Sequence, residues 1–152
     1  MFGFLCSMIM STTVMADKLA GNYELHQPGI TYQIQLTHAD NGQIQGVLNS
    51  TLVSLPIMGE VDGCEAKGDL IGFGNLGFEA KIEDGKLQFD ILQKDTEGSK
   101  RTKRLELLRM SDPAGIKNLN ESAKEAAKVL KMRNIEQSAE QNQHKGSREP
   151  QK

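Results

Sequence analysis

The feature that most constrains the fold is an alternation of apolar and polar residues, repeated along the first two thirds of the chain. It is clearest in residues 32–36, 78–82 and 87–91, where every second side chain is apolar. A period of two indicates a strand with one buried face. Between the runs lie Asp, Asn and Gly, which tolerate positive φ in tight turns, as in residues 40–42. The pattern predicts about eight short strands within residues 17–112.

The links between these strands are short, and this decides how the strands pair. No link can hold a crossover helix, so neighbouring strands are predicted to be antiparallel. Eight such strands leave two exposed edges unless the sheet closes on itself. We therefore expect an all-β fold, an antiparallel up-and-down β-barrel of about eight strands over residues 17–112. Gly46, Gly59 and Gly68 lie where barrel corners need bends. A two-sheet sandwich is the alternative.

The remaining residues have a helical period and the opposite charge. Residues 17–116 carry 10 Lys and Arg against 15 Asp and Glu, a net charge of −5, whereas residues 117–152 carry 8 against 5, a net charge of +3. We assign residues 113–140 to a C-terminal α-helix and residues 141–152 to a disordered polar tail. The helix is predicted to run from about Asn118, which fits a capping box with Glu121, to about Ala139. We expect it to pack on the barrel, at a mouth or on an outer wall.

The first sixteen residues carry no charged side chain and include a short apolar run. Val14 and Ala16 stand at the third and first positions before Asp17, as at a signal cleavage site. The run is too short to span a bilayer. Residues 1–16 are therefore predicted to be a signal peptide and the protein to be exported, periplasmic or secreted. A core-packed or disordered N-terminal segment is the alternative.

The order of turns and strands in the barrel region resembles that of a known superfamily. Residues 19–23, Leu-Ala-Gly-Asn-Tyr, stand where avidins and lipocalins carry Gly-x-Trp on the first strand. A turn at residues 28–31, an alternating strand and the Asp/Gly turn and strand at residues 40–46 follow. Residues 19–109 thus resemble the calycin-type barrels, which implies a small up-and-down β-barrel. The chain has no Trp, whereas avidins line their biotin site with Trp, so no functional motif is carried over.

The titratable residues form no recognisable catalytic or metal-binding set. His26 and His38 end the first and second predicted strands, about 20 Å apart at the rise of a strand. No Ser/His/Asp or Cys/His arrangement is evident, so the sequence predicts a protein that is not an enzyme and holds no metal or cofactor. A pocket uniting Glu24, His26 and a strand-end acid would reverse that expectation. Cys64 is expected to be buried as a small hydrophobe, and pairing with a cysteine of another chain is the alternative.

Basic residues are concentrated in one segment, Lys100-Arg101-Thr102-Lys103-Arg104. We place it in a loop over residues 94–103, where it would hold an acidic partner or lipid head groups, or serve only as a solvated loop or an edge-strand guard. The chain carries a net charge of −2, and no aromatic residues interleave with the basic ones, so nucleic-acid binding is not expected. No membrane span is predicted. With 38% apolar and 25% charged residues, the chain is expected to form one globular core.

An eight-stranded barrel is either filled by side chains or holds one small ligand. We identify Tyr23, Tyr32, Phe78 and Phe89 as candidate ligand-binding residues in the barrel interior. The sequence predicts an exported, non-enzymatic binding module that holds a small apolar ligand in the barrel or a protein partner at its rim. The alternative is an inhibitor or accessory protein of an envelope or secreted enzyme, with residues 17–21 and 94–103 as contact surfaces. The residues predicted to face the interior are Tyr23, Leu25, Tyr32, Ile34, Leu36, Ile44, Phe78, Ile82, Leu87, Phe89 and Leu105.

Overall fold

A computed structural model describes residues 19–39 and 41–145 and shows eight strands followed by one helix. Every sequential pair of strands is antiparallel, and the last strand returns to pair with the first. The sheet is therefore a closed barrel, as predicted, and not a sandwich. Residues 1–16, predicted as a signal peptide, lie outside the described residues. The elements are β1 (Gly21–Gln27), β2 (Ile30–His38), β3 (Gln43–Ser50), β4 (Ser54–Asp62), β5 (Glu65–Leu70), β6 (Leu76–Glu83), β7 (Lys86–Asp95), β8 (Gly98–Arg109) and α1 (Pro113–Lys145).

The barrel core consists of the apolar side chains that alternate along the strands. Nine of the eleven residues predicted to face the interior are buried in one cluster, and Leu25 and Ile82 are partly buried against it. Phe78 and Phe89 stack inside it, with ring centroids 5.1 Å apart. The sequence pattern therefore predicted the interior correctly.

Two glycines let the backbones approach closely beside these rings. Gly59 and Gly68 are paired on β4 and β5. A Cβ atom on Gly68 would lie 2.2 Å from the Met58 carbonyl oxygen, and one on Gly59 would lie 2.9 Å from the Phe78 ring. Glycine is required here because any side chain would collide with the neighbouring strand.

The helix begins earlier and ends later than the sequence pattern predicts. Asp112 caps α1, because its carboxylate accepts hydrogen bonds from the backbone amides of Ala114 (3.2 Å) and Gly115 (2.9 Å). Pro113 then occupies the first helical position, where its missing N–H costs nothing. The predicted start at Asn118 was therefore wrong, and residues 141–145, predicted to be disordered, are helical.

The helix packs on the outer wall of the barrel, over β2, β3 and β4. A second buried cluster joins Val47 on the outer face of β3 to Met110 and to Leu119 and Ala126 of α1. Of the two positions that the sequence left open, mouth or wall, the structure has the wall. The distal half of α1 exposes Val129, Met132 and Ile135.

Two further predictions are corrected by the strand boundaries. The predicted loop over residues 94–103 is mostly strand, because β7 runs to Asp95 and β8 begins at Gly98. The basic segment Lys100–Arg104 therefore lies on β8; its side chains are exposed on both faces, which hides the alternation that marks a strand. Cys64 is exposed, because it lies in the β4–β5 turn rather than in the core.

Candidate functional site

The four candidate ligand-binding residues all lie in the barrel core. Tyr23, Phe78 and Phe89 are at most 1% exposed and Tyr32 is 8% exposed. The Tyr23 hydroxyl donates a 2.9 Å hydrogen bond to the backbone carbonyl of Leu19. Each of these aromatic side chains therefore already has a protein group in contact with it.

A cation lies over the ring of each buried tyrosine. The Arg109 guanidinium carbon lies 5.2 Å from the Tyr23 ring centroid, and the Lys103 Nζ lies 4.5 Å from that of Tyr32 and donates a hydrogen bond to its hydroxyl. Lys103 and Arg109 are six residues apart on β8, about 20 Å along an extended strand, so the two cations are well separated. Burial raises the pKa of the Tyr23 hydroxyl, although Arg109 acts in the opposite direction. Both cation–π pairs place charge at the rims of an apolar interior.

The closure between β1 and β8 is much shorter than any other strand pairing. Among the described residues, its ladder consists of the two pairs Tyr23–Arg109 and Glu24–Leu108. One backbone hydrogen bond, from Met110 N to Asn22 O at 2.9 Å, extends it on the side of the helix. If the ladder continued from the pair Glu24–Leu108 toward the end of β1, Gln27 would face Leu105. Residues 98–104 of β8 therefore extend past the end of β1, and residues 105–107 separate from it.

A groove of about 740 Å³ opens along this closure, and we call it the seam groove. Its charged walls come from Glu24 and His26 on β1 and from Arg104 and Glu106 on β8. Leu108, 57% exposed, adds an apolar surface. The groove thus has an apolar patch flanked by both signs of charge. Its remaining lining residues are Leu25, Gln27, Lys86, Arg109 and Ser111.

The seam groove brings together Glu24, His26 and Glu106, the combination of groups that acid–base chemistry would need. His26 Nε2 lies 3.3 Å from the Glu24 carboxylate, and His26 Nδ1 lies 3.2 Å from the Thr31 hydroxyl. The His26 side chain is 68% exposed. Ser111, the hydroxyl that lines the groove, lies two residues beyond the end of β8. The hydroxyl within hydrogen-bond distance of His26 is instead that of Thr31, its cross-strand neighbour on β2, which does not line the groove.

No metal-binding cluster is found within residues 19–39 and 41–145, where no group of three or more His, Cys, Asp or Glu side chains is placed to hold an ion. His26 and His38 pair with Thr31 and Ile44 respectively, at opposite ends of β2. This agrees with the predicted separation of the two imidazoles.

Strand β8 carries a large surplus of positive charge. Between Gly98 and Arg109 it has five Lys and Arg residues and one acid, a net charge of +4 in a chain whose net charge is −2. Arg104 forms a bidentate pair with Asp90 of β7, with both N–O distances 2.7 Å, and Arg101 lies 3.8 Å from the same carboxylate. The hydrogen bond from Arg104 lowers the pKa of Asp90. Lys103 and Arg109 lie over the two tyrosine rings, and Lys100 is exposed.

A second groove, of about 600 Å³, lies where the β3–β4 turn meets α1. All of its lining residues are uncharged, and Ser122 of the helix forms one wall. Ser54 donates a 2.6 Å hydrogen bond to the Asn49 side chain, and the Thr31 amide donates one of 3.1 Å to Thr51. These bonds fix the turn against β2 and β3.

Sequence reasoning found the aromatic interior but missed both grooves. The seam groove depends on residues about 85 positions apart, so no local pattern reports it. The one available signal was the basic segment at residues 100–104, which was assigned to a loop. Within the described part of the chain, no helix is both long and apolar enough to cross a membrane. No protein-family model, curated protein or solved structure matches this chain.

Proposed function

We propose that this protein is an exported, non-enzymatic binding module that engages a protein partner on the outside of its barrel, at the rim where β1 and β8 meet. One observation supports an outer partner over a ligand in the interior. The aromatic side chains available to an interior ligand already contact the protein itself: Phe78 stacks on Phe89, and Arg109 and Lys103 cover the two tyrosine rings.

Export is proposed from the uncharged, apolar start of the chain at residues 1–16. The eight-stranded closed barrel is compatible with membership of the calycin-type barrels, which we propose as its fold family. Barrels of one topology serve unrelated functions, so the fold alone does not identify the partner. An inhibitor or accessory protein of an envelope or secreted enzyme is one form that such a module takes.

The experiment combines native mass spectrometry with affinity capture from the protein's own host. The purified protein is weighed under native and denaturing conditions, and the envelope and secreted fractions are captured on immobilised protein. We expect the bare mass in both conditions and a co-purifying protein. A small-molecule mass that is lost on denaturation would place a ligand in the barrel and overturn the proposal.

A matched pair of variants locates the contact. Leu108→Glu adds a negative charge to the seam groove, whereas Leu52→Glu adds the same charge to the β3–β4 turn, where Leu52 is 86% exposed and does not line that groove. Capture is expected to be lost with Leu108→Glu and kept with Leu52→Glu. Equal capture by both variants would contradict binding at the seam.

A further inference from the structure

We propose that the exposed edge of β8, residues 98–107, binds an acidic, extended segment of the partner protein as an additional β-strand. This inference rests on the proposed function and specifies the chemistry of the partner. We call this edge the β8 edge.

The backbone of the β8 edge favours an added strand. β8 is twelve residues long, and its ladder with β1 ends at Leu108. Among the described strands, none pairs with residues 98–107 on the side that faces β1. In an antiparallel ladder every second residue directs both its N–H and its C=O group toward a given neighbour. About five of these ten residues therefore offer such a pair of groups toward the seam. An added strand satisfies these groups, as in other cases of β-strand addition.

The charge of the β8 edge favours an acidic segment. Lys100, Arg101, Lys103 and Arg104 lie within five consecutive positions of the β8 edge. Asp90 compensates only the two arginines, at 2.7 and 3.8 Å. An acidic strand gains attraction along this stretch, and a basic one is repelled. Directly after the β8 edge, Leu108 lines the seam groove, and it would contact an apolar side chain of the incoming segment.

The same charges argue against a second copy of this chain as the occupant. Two β8 edges brought together would place their cationic segments side by side, which is a recognised protection of exposed strands. A β-bulge strengthens that protection. In the register between β7 and β8, Ile91 pairs with Lys103 and Leu92 with Arg101, so Thr102 is the extra residue, and its hydroxyl donates a 3.0 Å hydrogen bond to the Ile91 carbonyl.

The test uses fluorescein-labelled nonapeptides and fluorescence anisotropy with the full-length protein. The probe alternates Glu and Val, a second peptide has Pro at the central position, and a third alternates Lys and Val. We expect saturable binding of the acidic peptide and at least about tenfold weaker binding of the other two, because Pro removes a ladder donor and Lys reverses the charge. Equal binding of the Glu-Val peptide and its Pro form would overturn strand addition.

Two sets of variants locate the binding on the protein. Lys100→Glu with Arg101→Glu reverses charge at the β8 edge, and Lys124→Glu with Lys131→Glu makes the same change on exposed positions of α1. Affinity should fall about tenfold or more in the first variant and stay within about twofold in the second. Equal loss in both variants would show a non-specific charge effect and refute the site.

A reversible closure of the seam tests the edge itself. His26→Cys and Glu106→Cys, in a chain with Cys6→Ser and Cys64→Ser, place two thiols on the two walls of the seam groove, and the loss of free thiol on oxidation verifies that the disulfide has formed. The oxidised protein should lose the acidic peptide, and reduction should restore binding in the same sample. Binding that is unaffected by the disulfide would contradict strand addition along residues 105–107 of the β8 edge.

Further outcomes distinguish other anionic ligands from an acidic protein segment. They also distinguish failure of this inference from failure of the proposed function. Tighter binding of a poly-dT 20-mer or of phosphatidylglycerol vesicles than of the acidic peptide would replace the protein segment with nucleic acid or lipid. If the peptide fails while a captured protein is still lost with Leu108→Glu, only this inference fails. If a small-molecule mass appears and no protein is captured, the proposed function fails as well.

Discussion

The two edges of strand β8 differ sharply in how they are held. Toward β7 the strand forms nine residue pairs, and toward β1 it forms two. The β7 side is backed by the Phe78–Phe89 stack and crossed by the Asp90–Arg104 pair, whereas the β1 side opens into the seam groove. One strand therefore contributes stability through one edge, while most of its other edge is unpaired among the described strands.

The largest expected effect is in the core beside β7. Phe89→Ala should lower the free energy of unfolding by about 3–5 kcal/mol, because it removes a fully buried ring and leaves a cavity against Phe78. Leu25→Ala, at a half-buried position on the seam side, should cost roughly half as much. Urea unfolding followed by circular dichroism measures both values. Equal costs would mean that the seam is packed as tightly as the β7 side.

Hydrogen exchange compares the two edges without any substitution. Within residues 25–27, amides directed toward β8 rather than toward β2 should exchange about a hundredfold faster than the amides of Leu87 and Phe89, equivalent to roughly 3 kcal/mol of opening free energy. The reason is that these β1 residues pair with β2 but lie beyond the last pair of the ladder with β8. Mass spectrometry of peptides after timed labelling gives the rates. Uniform protection across both segments would contradict the difference described above.

The ion pair that joins β7 to β8 predicts a pH dependence. Because Arg104 lowers the pKa of Asp90 in the folded protein, its stabilisation is present above the unfolded pKa of about 3.9 and is lost as pH falls through the folded value. Asp90→Asn should cost about 2 kcal/mol at pH 7, and the deficit should shrink below about pH 4. Thermal unfolding between pH 2 and 7 tests this. A constant deficit would show that the charge of Asp90 is not responsible.

The smallest effect is expected at the tyrosine beside the seam. Tyr23→Phe removes the hydrogen bond to the Leu19 carbonyl and should cost about 1 kcal/mol at neutral pH. Burial raises the pKa of Tyr23, so the wild-type stabilisation is complete below about pH 10 and is lost as pH rises through the folded value. The gap between variant and wild type should therefore narrow above pH 10 in unfolding experiments. A gap that widens there would contradict the direction of the shift.

The strand order and the interior could be predicted because both follow from patterns among residues that are close in sequence. Alternation marks the buried face at Tyr32, Ile34 and Leu36, and short Gly turns leave antiparallel pairing as the only option. The beginning of β8 could not be predicted, because side chains exposed on both faces leave no alternation to detect. Asp112 and Asn118 are both good helix caps, and the hydrogen bonds that the backbone amides of Ala114 and Gly115 donate to Asp112 identify it as the cap.

The candidate site was less predictable than the fold. The tyrosines and phenylalanines were located correctly, but the cations over Tyr23 and Tyr32 come from β8, more than 70 residues away. The seam groove likewise arises from where two distant strands stop pairing. Such features depend on three-dimensional closure and have no counterpart in a local sequence pattern.

The short closure between β1 and β8 also has a consequence for how the chain folds. Seven of the eight strand pairings join neighbours in sequence, and the eighth brings Tyr23 to Arg109. Local hairpins form before distant contacts, whose loop closure is entropically expensive. We therefore expect the sequential hairpins to form early, and β1 to pair with β8 only after β8 has been synthesised. A chain that ends before β8 would remain an open sheet, and its two unpaired edge strands would be able to pair with other chains.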